Sequence, residues 1–380
     1  MAAPDTDLII LGGGLSGGLC ALALAQRRPE LSVTIIEPGE RLGGNHLWSF
    51  FDSDVARSDL PLVEPLISHR WDSYEVRFPT HGRKLAQAYR TIASERLDGA
   101  VRRALPAERI IRAAATDVGP REVVLEDGRT LNARAVLDAR GGKAEGLRLG
   151  WQKFLGQLLR IPQGHGLTEP VVMDATVDQA DGYRFVYLLP FSPTELFVED
   201  TYYTDGAELD RDLLRDRIGD YAAERGWQVA ERTREETGQL PVLTGGDFER
   251  FWPASDPVAR AGARGGFFHP LTSYSLPDAV RFASWLADEL PLDRLAQATR
   301  ERARRHWRRS AYDRFLARML FRAADPPHRY RVLQRFYRLP APLIARFYAG
   351  KSTAFDRVRI LAGRPPVSIW RAMRALKDSE

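Results

Sequence analysis

The sequence contains a single cysteine, and no apolar run approaches the roughly 18 residues that a membrane-spanning helix needs. One thiol, Cys20, excludes an intramolecular disulfide framework and favours a reducing compartment. The first apolar strand is not preceded by a basic and then an apolar segment, the pattern of a secretory signal. We therefore expect a cytoplasmic protein that does not cross the bilayer.

Internal repeats and low-complexity segments are also lacking, and no motif predicts a metal site. The chain has 380 residues, of which 44% are hydrophobic and 28% charged. This is enough for a sizeable core, normally divided into two or three domains.

Acidic residues are scarce near the C-terminal end of the sequence. From 301 to 380 there are 20 Lys and Arg against 6 Asp and Glu, and the basic residues alternate with aromatic ones such as Trp307 and Phe315. Three interpretations stay open: the solvated face of a helical region, attachment to an anionic membrane surface, and nucleic-acid binding. The last is disfavoured because no recognised nucleic-acid-binding motif accompanies the charge.

A strand-glycine-helix pattern near the N-terminus predicts a dinucleotide site. The apolar strand 7–11 runs into a glycine-rich turn in which Gly12 permits the bend, Gly14 lets backbone approach a pyrophosphate, and Gly17 lets helix and strand pack closely. The helix N-terminus favours a phosphate. Glu37, at the end of the next apolar strand, can accept hydrogen bonds from a ribose diol. Ordinary turns are the alternative for each glycine alone.

Two later segments indicate which dinucleotide binds. Residues 39–46 resemble the FAD-binding pattern of the glutathione reductase and hydroxybenzoate hydroxylase superfamily, and residues 135–142 resemble its later nucleotide-contact segment. The resemblance favours FAD over NAD. It assigns these residues to cofactor binding: Gly43, Gly44, Asn45, His46, Asp138 and Arg140.

A second glycine-rich segment lies between 260 and 285, and we assign Gly266, His269 and Tyr274 in it to the cofactor site. For His269 the alternative is a loop histidine that is hydrogen-bonded to backbone. For Arg140 and Arg264 the alternatives are charges of the flavin pocket and ordinary surface residues.

The order of patterns predicts an α/β fold with a Rossmann-type FAD-binding domain, an inserted antiparallel-sheet substrate domain and a helical C-terminal part. The FAD-binding domain is expected to be discontinuous, over 1–145 and 256–300. The substrate domain covers 146–255, and the basic helical region covers 301–380.

Two adjacent carboxylates, Glu199 and Asp200, follow an apolar strand in the β-rich half. Because neighbours on a strand face opposite sides, we expect one of them to face a cavity and the other to face away. A carboxyl group in an apolar cavity has a raised pKa and can donate a proton near neutral pH. Two solvated charges at a strand end are the alternative.

Together, several motifs resemble the bacterial lycopene beta-cyclase family, and they are spread over nearly the whole chain. The acidic motif of that family, commonly Phe-Leu-Glu-Glu-Thr, falls on 197–201, so the resemblance implies that Glu199 is the essential acid. Asp200 replaces the second, longer carboxylate, and it either assists Glu199 or is structural. The remaining matching segments are 174–178, 182–187, 268–270, 274–277, 335–337 and 347–350.

The family resemblance implies an acid-catalysed, non-redox closure of the acyclic ends of lycopene to β-ionone rings, through gamma-carotene to beta-carotene. Reduced FAD would stabilise the cationic transition state. NADPH would be the reductant; because no second dinucleotide fingerprint is present, it would dock transiently or act through another reductant. Phe185, Tyr187 and Phe268 are candidates for the wall of a polyene channel.

A substrate this apolar resides in the bilayer, which favours the membrane-surface interpretation of the basic C-terminal region. The expected location is the cytoplasmic side of the inner membrane, with peripheral attachment; contacts with other carotenoid enzymes are compatible with it. The competing functions are an FAD monooxygenase, a polyisoprenoid reductase and a non-enzymatic carotenoid carrier.

Overall fold

The computed structural model describes residues 4–142, 145–289, 292–363 and 367–377. Its strands are, in chain order, β1 (Thr6–Leu11), β2 (Val33–Ile36), β3 (Leu47–Phe51), β4 (Ile67–Trp71), β5 (Tyr74–Phe78), β6 (His81–Leu85), β7 (Tyr89–Ala93), β8 (Ile110–Ile111), β9 (Ala115–Val118), β10 (Glu122–Leu125), β11 (Thr130–Asp138), β12 (Leu147–Arg160), β13 (Val171–Asp174), β14 (Tyr183–Ser192), β15 (Glu195–Thr204), β16 (Glu231–Gly246) and β17 (Ala259–Arg260).

The α-helices of the same residues include five in the first two-thirds of the chain and seven after it. They are α1 (Leu15–Arg27), α2 (Leu60–Val63), α3 (Ser94–Ala104), α4 (Arg211–Glu224), α5 (Phe248–Phe251), α6 (Leu276–Glu289), α7 (Leu295–Arg309), α8 (Ala311–Arg318), α9 (Tyr330–Phe336), α10 (Ala341–Tyr348), α11 (Ala354–Leu361) and α12 (Ile369–Lys377).

The first sheet has the strand order β8-β2-β1-β11-β10-β9, and β17 also pairs with β11. β1 runs parallel to β2 and β11, as the dinucleotide motif requires. Nearly all residues of β1 and β2 are buried, which explains their largely apolar sequences. Helices α1 and α6 pack against each other beside this sheet, so that the segment after 256 lies next to the N-terminal part.

The second sheet has the order β16-β12-β15-β14-β13-β5-β6 and is antiparallel except between β13 and β5. Its long central strands alternate between two cores. Phe185 and Phe197 pack with C-terminal helices on one face, whereas Val186 and Val198 pack with α4 on the other. This alternation decides which way each polar side chain of β15 points.

Strands β5 and β6 lie in the second sheet, although the sequence places them within the FAD-binding domain. Strands β5 and β6, within 1–145, extend the second sheet because the edge of β13 pairs with β5 in parallel. Strands β3, β4 and β7 form a separate three-stranded sheet. Part of the N-terminal region is therefore structurally continuous with the antiparallel half.

Helices α7 to α12 make up most of the described part of 301–380. Apolar residues of α8, α9 and α10 share a core with the second sheet. No helix within the described residues combines the length and the hydropathy that crossing a bilayer would require.

Candidate active site

The alternation along β15 separates the two adjacent carboxylates. Glu199 lines a cavity of about 240 Å³ between the second sheet and the segments 46–49 and 272–276, here called the Glu199 cavity. Asp200 points into the opposite core, where its side chain is fully buried. The expectation that one carboxylate faces a cavity and the other faces away agrees with this geometry.

Glu199 sits in surroundings that favour its protonated form. Burial raises the pKa of Glu199 to about 8, and the negative charges of Glu236 and Asp200 act in the same direction. The hydroxyl of Thr201 donates a hydrogen bond of 2.6 Å to Oε1 of Glu199, which favours the ionised form and limits the rise. At neutral pH the carboxyl group is therefore mostly protonated, which is the form that can donate a proton.

Asp200 is held in an ion pair. It accepts hydrogen bonds from Nε of Arg184 at 2.8 Å and from the hydroxyl of Tyr202 at 2.6 Å. The guanidinium of Arg184 also lies near the ring of Tyr202, 5.9 Å from its centroid. These contacts give Asp200 partners that fix β15 to β14, away from the Glu199 cavity.

A second buried carboxylate, Glu236, lines the same cavity and is absent from the sequence-based candidates. Gly156 of β12 pairs with Glu199 on one side and with Glu236 on the other, which places their backbones two strand spacings, roughly 10 Å, apart. A Cβ atom at Gly156 would overlap the ring of Phe197. Glu236 can be identified only from the register of three strands. The pair Glu235-Glu236 lies in a charged stretch of the sequence, where no local pattern marks a buried carboxylate.

The buried Glu236 contacts His46, whose side chain is partly exposed to solvent. Its Nδ1 lies 2.9 Å from Oε1 of Glu236, and the backbone N–H of Leu47 donates to Oε2 at 3.1 Å. The His46 side chain is 48% exposed, whereas that of Glu236 is 4% exposed. Burial raises the pKa of Glu236, and His46 opposes that rise.

Tyrosines form much of the remaining wall. The hydroxyl of Tyr89 lies 2.9 Å from that of Tyr187 and 3.1 Å from that of Tyr274. Burial raises the pKa of all three tyrosines well above the ordinary value, so their hydroxyls stay neutral. Tyr89 is a further residue that the sequence analysis missed, because β7 reaches the cavity only through tertiary packing.

Of the aromatic residues expected in a polyene channel, Phe185 and Tyr187 line the Glu199 cavity. The lining does not include Phe268, which is buried at the turn before His269, with its carbonyl 3.2 Å from Nε2 of His306. Backbone geometry of the tight turn, rather than a channel, sets its position.

His269 is a buried loop histidine. Its Nδ1 accepts hydrogen bonds from the backbone N–H groups of Leu271 and Thr272, each at 3.3 Å. Burial lowers the pKa of His269, although Asp313 lies 3.9 Å from Nε2. The contacts match the backbone-bonded alternative, and a contact with cofactor stays a prediction.

The glycine-rich turn has the geometry that a dinucleotide requires. Gly12 has a φ of +92° and closely approaches the backbone of Arg140, and a Cβ atom at Gly17 would overlap the carbonyl oxygen of Gly12. A Cβ atom at Gly14 would meet nothing within 4 Å, and no side chain caps α1 at this position. The first N–H groups of α1 can therefore meet a phosphate.

Glu37 stands beside this turn. Its Oε2 accepts from the backbone N–H of Gly13 at 2.8 Å, and its Oε1 accepts from that of Gly39 at 2.9 Å. These bonds hold the carboxylate at the end of β2, where a ribose diol would meet it. The residues present thus fit an adenine dinucleotide.

The remaining cofactor candidates fall into two groups. Gly43 and Gly44 have positive φ values, and the side chain of Asn45 donates to the backbone carbonyl of Glu235 at 2.5 Å, so this segment connects the first sheet to β16. His46 and Tyr274 both line the Glu199 cavity. The structure therefore brings two cofactor candidates beside the candidate acid.

Asp138 and Gly266 serve local structure. Asp138 accepts two hydrogen bonds from the guanidinium of Arg140, one from the backbone N–H of Arg140 and one from Arg264. The bonds from Arg140 lower the pKa of Asp138 against the effect of burial. Gly266 adopts a φ of +75° after a 3₁₀ turn, beside the ring of Phe251. Contacts of these residues with a cofactor stay predictions.

Comparison with solved structures shows the fold. A probable FAD-dependent monooxygenase from Pseudomonas aeruginosa superposes with a TM-score of 0.57 at 19% sequence identity, over 87% of this chain and 99% of that one. This likeness agrees with the predicted Rossmann-type domain with an antiparallel insertion, and identity at this level carries no conclusion about the reaction.

Sequence comparison shows the family. The chain is 47% identical over 372 residues to the lycopene beta-cyclase of Pseudescherichia vulneris, covering 97% of this chain and 96% of that protein. It is 45% identical to the lycopene beta-cyclase of Pantoea ananas, covering 98% of each. The family model described as lycopene cyclase protein matches residues 7–374. On this evidence the chain belongs to the lycopene cyclase family.

Proposed function

We propose that this protein closes the acyclic ends of lycopene to β-ionone rings, through gamma-carotene to beta-carotene, with no net oxidation or reduction. The observation that carries the proposal is Glu199, a carboxylic acid whose pKa is raised to about 8 in a cavity lined mainly by apolar and aromatic side chains. Such an acid is protonated at neutral pH and can donate to an alkene.

The reaction starts when Glu199 transfers its proton to the terminal double bond and a tertiary carbocation forms. Attack by the internal double bond makes the carbon–carbon bond of the ring and moves the positive charge onto a ring carbon. Loss of a neighbouring ring proton, to the Glu199 carboxylate or another base, then forms the ring double bond. One proton enters and one leaves, so the substrate is isomerised.

The walls of the cavity suit a passing cation. The faces of Phe185 and Tyr187 offer negative electrostatic potential to a positive charge. The hydroxyl of Tyr89 is hydrogen-bonded to those of Tyr187 and Tyr274. Because these three hydroxyls are neutral and have one another as partners, they do not need water to solvate them. Asp200, with its Arg184 partner, has a structural role in this scheme.

FAD is the proposed cofactor, and the shared fold of the FAD-dependent monooxygenase supports it. Gly12, Gly14 and the start of α1 would hold the pyrophosphate, and Glu37 would hold the ribose. In its reduced, anionic form the bound flavin would supply negative charge that stabilises a carbocation in a low-dielectric site. NADPH is the proposed source of the electrons.

Peripheral attachment to the cytoplasmic face of the inner membrane completes the proposal. Phe355, Val358 and Trp370 are 74%, 67% and 81% exposed on α11 and α12, next to exposed Arg357 and Arg374. Exposed apolar side chains with basic neighbours match the interface of an anionic bilayer. The substrate lies in that bilayer.

The test is anaerobic incubation of purified protein with lycopene in liposomes, FAD and dithionite, in heavy water. We expect one deuteron per new ring, because the carboxyl proton of Glu199 exchanges with solvent before it is transferred. In ordinary water the product should have the mass of lycopene. Without oxygen a monooxygenase would leave the polyene unchanged, as would a carrier, whereas a reductase would add hydrogens; each result would exclude cyclisation.

A further inference from the structure

A second cavity lies beneath the C-terminal helices. It has a volume of about 280 Å³ and an almost entirely apolar lining, here called the C-terminal cavity. Leu316 of α8, Leu320, and Leu333 of α9 are among its walls. Among the described residues, this lining includes no Asp or Glu, so it offers no carboxylic acid comparable to Glu199.

The C-terminal cavity adjoins the Glu199 cavity. Four residues line both of them: Met173, Tyr203, Thr272 and Tyr348. Met173 is unbranched and flexible, and such a side chain can shift to let a chain pass. The two cavities thus share one wall, with the acid on one side and an apolar space on the other.

The Glu199 cavity alone is too small for the whole substrate. Its volume of about 240 Å³ falls below the roughly 300 to 1,000 Å³ of pockets that enclose drug-sized ligands. We infer that only the reacting end group enters it and that the C-terminal cavity binds the neighbouring part of the linear polyene. This inference rests on the proposed function.

The far end of the C-terminal cavity meets the surface at α11 and α12. Leu361 both lines the cavity and is 49% exposed, and Ala372 of α12 belongs to the same lining. The exposed Phe355, Val358 and Trp370 lie on these two helices. The cavity therefore opens beside the proposed membrane surface, and a long polyene can keep its distal end in the bilayer while its proximal end reacts.

The experiment fills the C-terminal cavity and varies the substrate length. Leu333→Trp and Leu316→Trp each place an additional ring in the cavity, from two different helices. If one variant fails to fold, the other can still be tested. Arg331→Trp, at an exposed position of α9, adds the same ring outside the cavity. For each protein, kcat/KM is measured with acyclic polyenes of twenty, thirty and forty carbons that carry the same end group, and FAD content and unfolding temperature are recorded.

For the wild type and Arg331→Trp, kcat/KM should rise with substrate length. The filled variants should lose at least about tenfold with the forty-carbon polyene, because several buried carbons are displaced, and less than about twofold with the twenty-carbon one. Equal losses at all lengths, or an unchanged length dependence, would overturn the inference. Absence of cyclic product from the wild type at every length would instead overturn the proposed function.

Discussion

Gly156 allows two carboxyl groups to face one cavity from strands on either side of β12. Any larger residue would collide with Phe197, and the strand register places Glu199 and Glu236 on the same face. Their proximity adds a like-charge contribution to the effect of burial, so Glu199 holds its proton at neutral pH. Asp200, one residue away, points to the other face of the sheet and forms an ion pair with Arg184.

Replacing Glu199 by Gln should abolish cyclisation while FAD remains bound. The amide keeps the shape of the side chain but has no transferable acidic proton, and loss of general acid catalysis costs about 10² to 10⁴ in rate. Turnover is measured with lycopene, and bound flavin by its absorbance. Glu195→Gln, on the same strand but outside the Glu199 cavity, serves as the control. Retained turnover would remove Glu199 from the mechanism.

The pH dependence of kcat/KM should report the pKa of Glu199. Activity requires the protonated acid, so it should fall as pH rises through about 8. Glu236→Gln should move this fall to lower pH, because a neighbouring negative charge is removed. Thr201→Val should move it to higher pH, because the hydrogen bond that favours the carboxylate is lost. Shifts of both variants in one direction would contradict the assignment.

Helix α11 is held in position by polar contacts of the buried Asp356 in its first turn. Arg346 makes two hydrogen bonds of 2.7 and 2.6 Å to Asp356, which also completes a capping box with Thr353 at the start of α11. These bonds fix the orientation of α11. Phe355 and Val358 consequently face outward, where no core covers them.

Reversing the character of this surface should weaken membrane binding. Phe355→Asp combined with Trp370→Asp should lower the partition coefficient onto anionic liposomes by more than about tenfold, since two large exposed apolar side chains are lost. Co-sedimentation at low and high salt measures it. Leu213→Asp makes the same chemical change on α4, where Leu213 is 43% exposed, and should have little effect. An equal loss from that control would contradict membrane binding through α11 and α12.

Features that depend on residues close to one another in the sequence could be predicted from the sequence. The turn after β1 needs glycine at Gly12 and Gly17 for steric reasons that the motif displays, and alternation along β15 sufficed to separate Glu199 from Asp200. Glu236 depends on the register of β16 against β12 over a long separation in sequence, which no local pattern encodes. The pairing of β5 with β13 is hidden for the same reason.

At the scale of the whole molecule, the C-terminal region and the second sheet form one hydrophobic core. Phe336 and Phe347 pack in the same cluster as Phe185 and Phe197. Composition alone marked 301–380 as basic and helical, but it could not show that this region covers a cavity. Most of its described charged residues are exposed, with Arg314, Arg329 and Asp356 as buried exceptions, and apolar residues of α8, α9 and α10 pack with β14 and β15.

Arg329 links these two parts. It is 1% exposed and donates hydrogen bonds from Nη1 to the carbonyl of Tyr203 at 3.0 Å and from Nη2 to that of Phe321 at 2.9 Å. Arg329→Leu should lower the free energy of unfolding by about 3 kcal/mol, because two charge-assisted hydrogen bonds are lost and two carbonyls are left without those donors. Urea denaturation followed by tryptophan fluorescence measures the change. Arg331→Leu, two positions along and exposed, is the matched control. If both variants unfolded at the same urea concentration, Arg329 would not stabilise the contact between the C-terminal helices and the second sheet, and apolar packing alone would hold the shared wall between the two cavities.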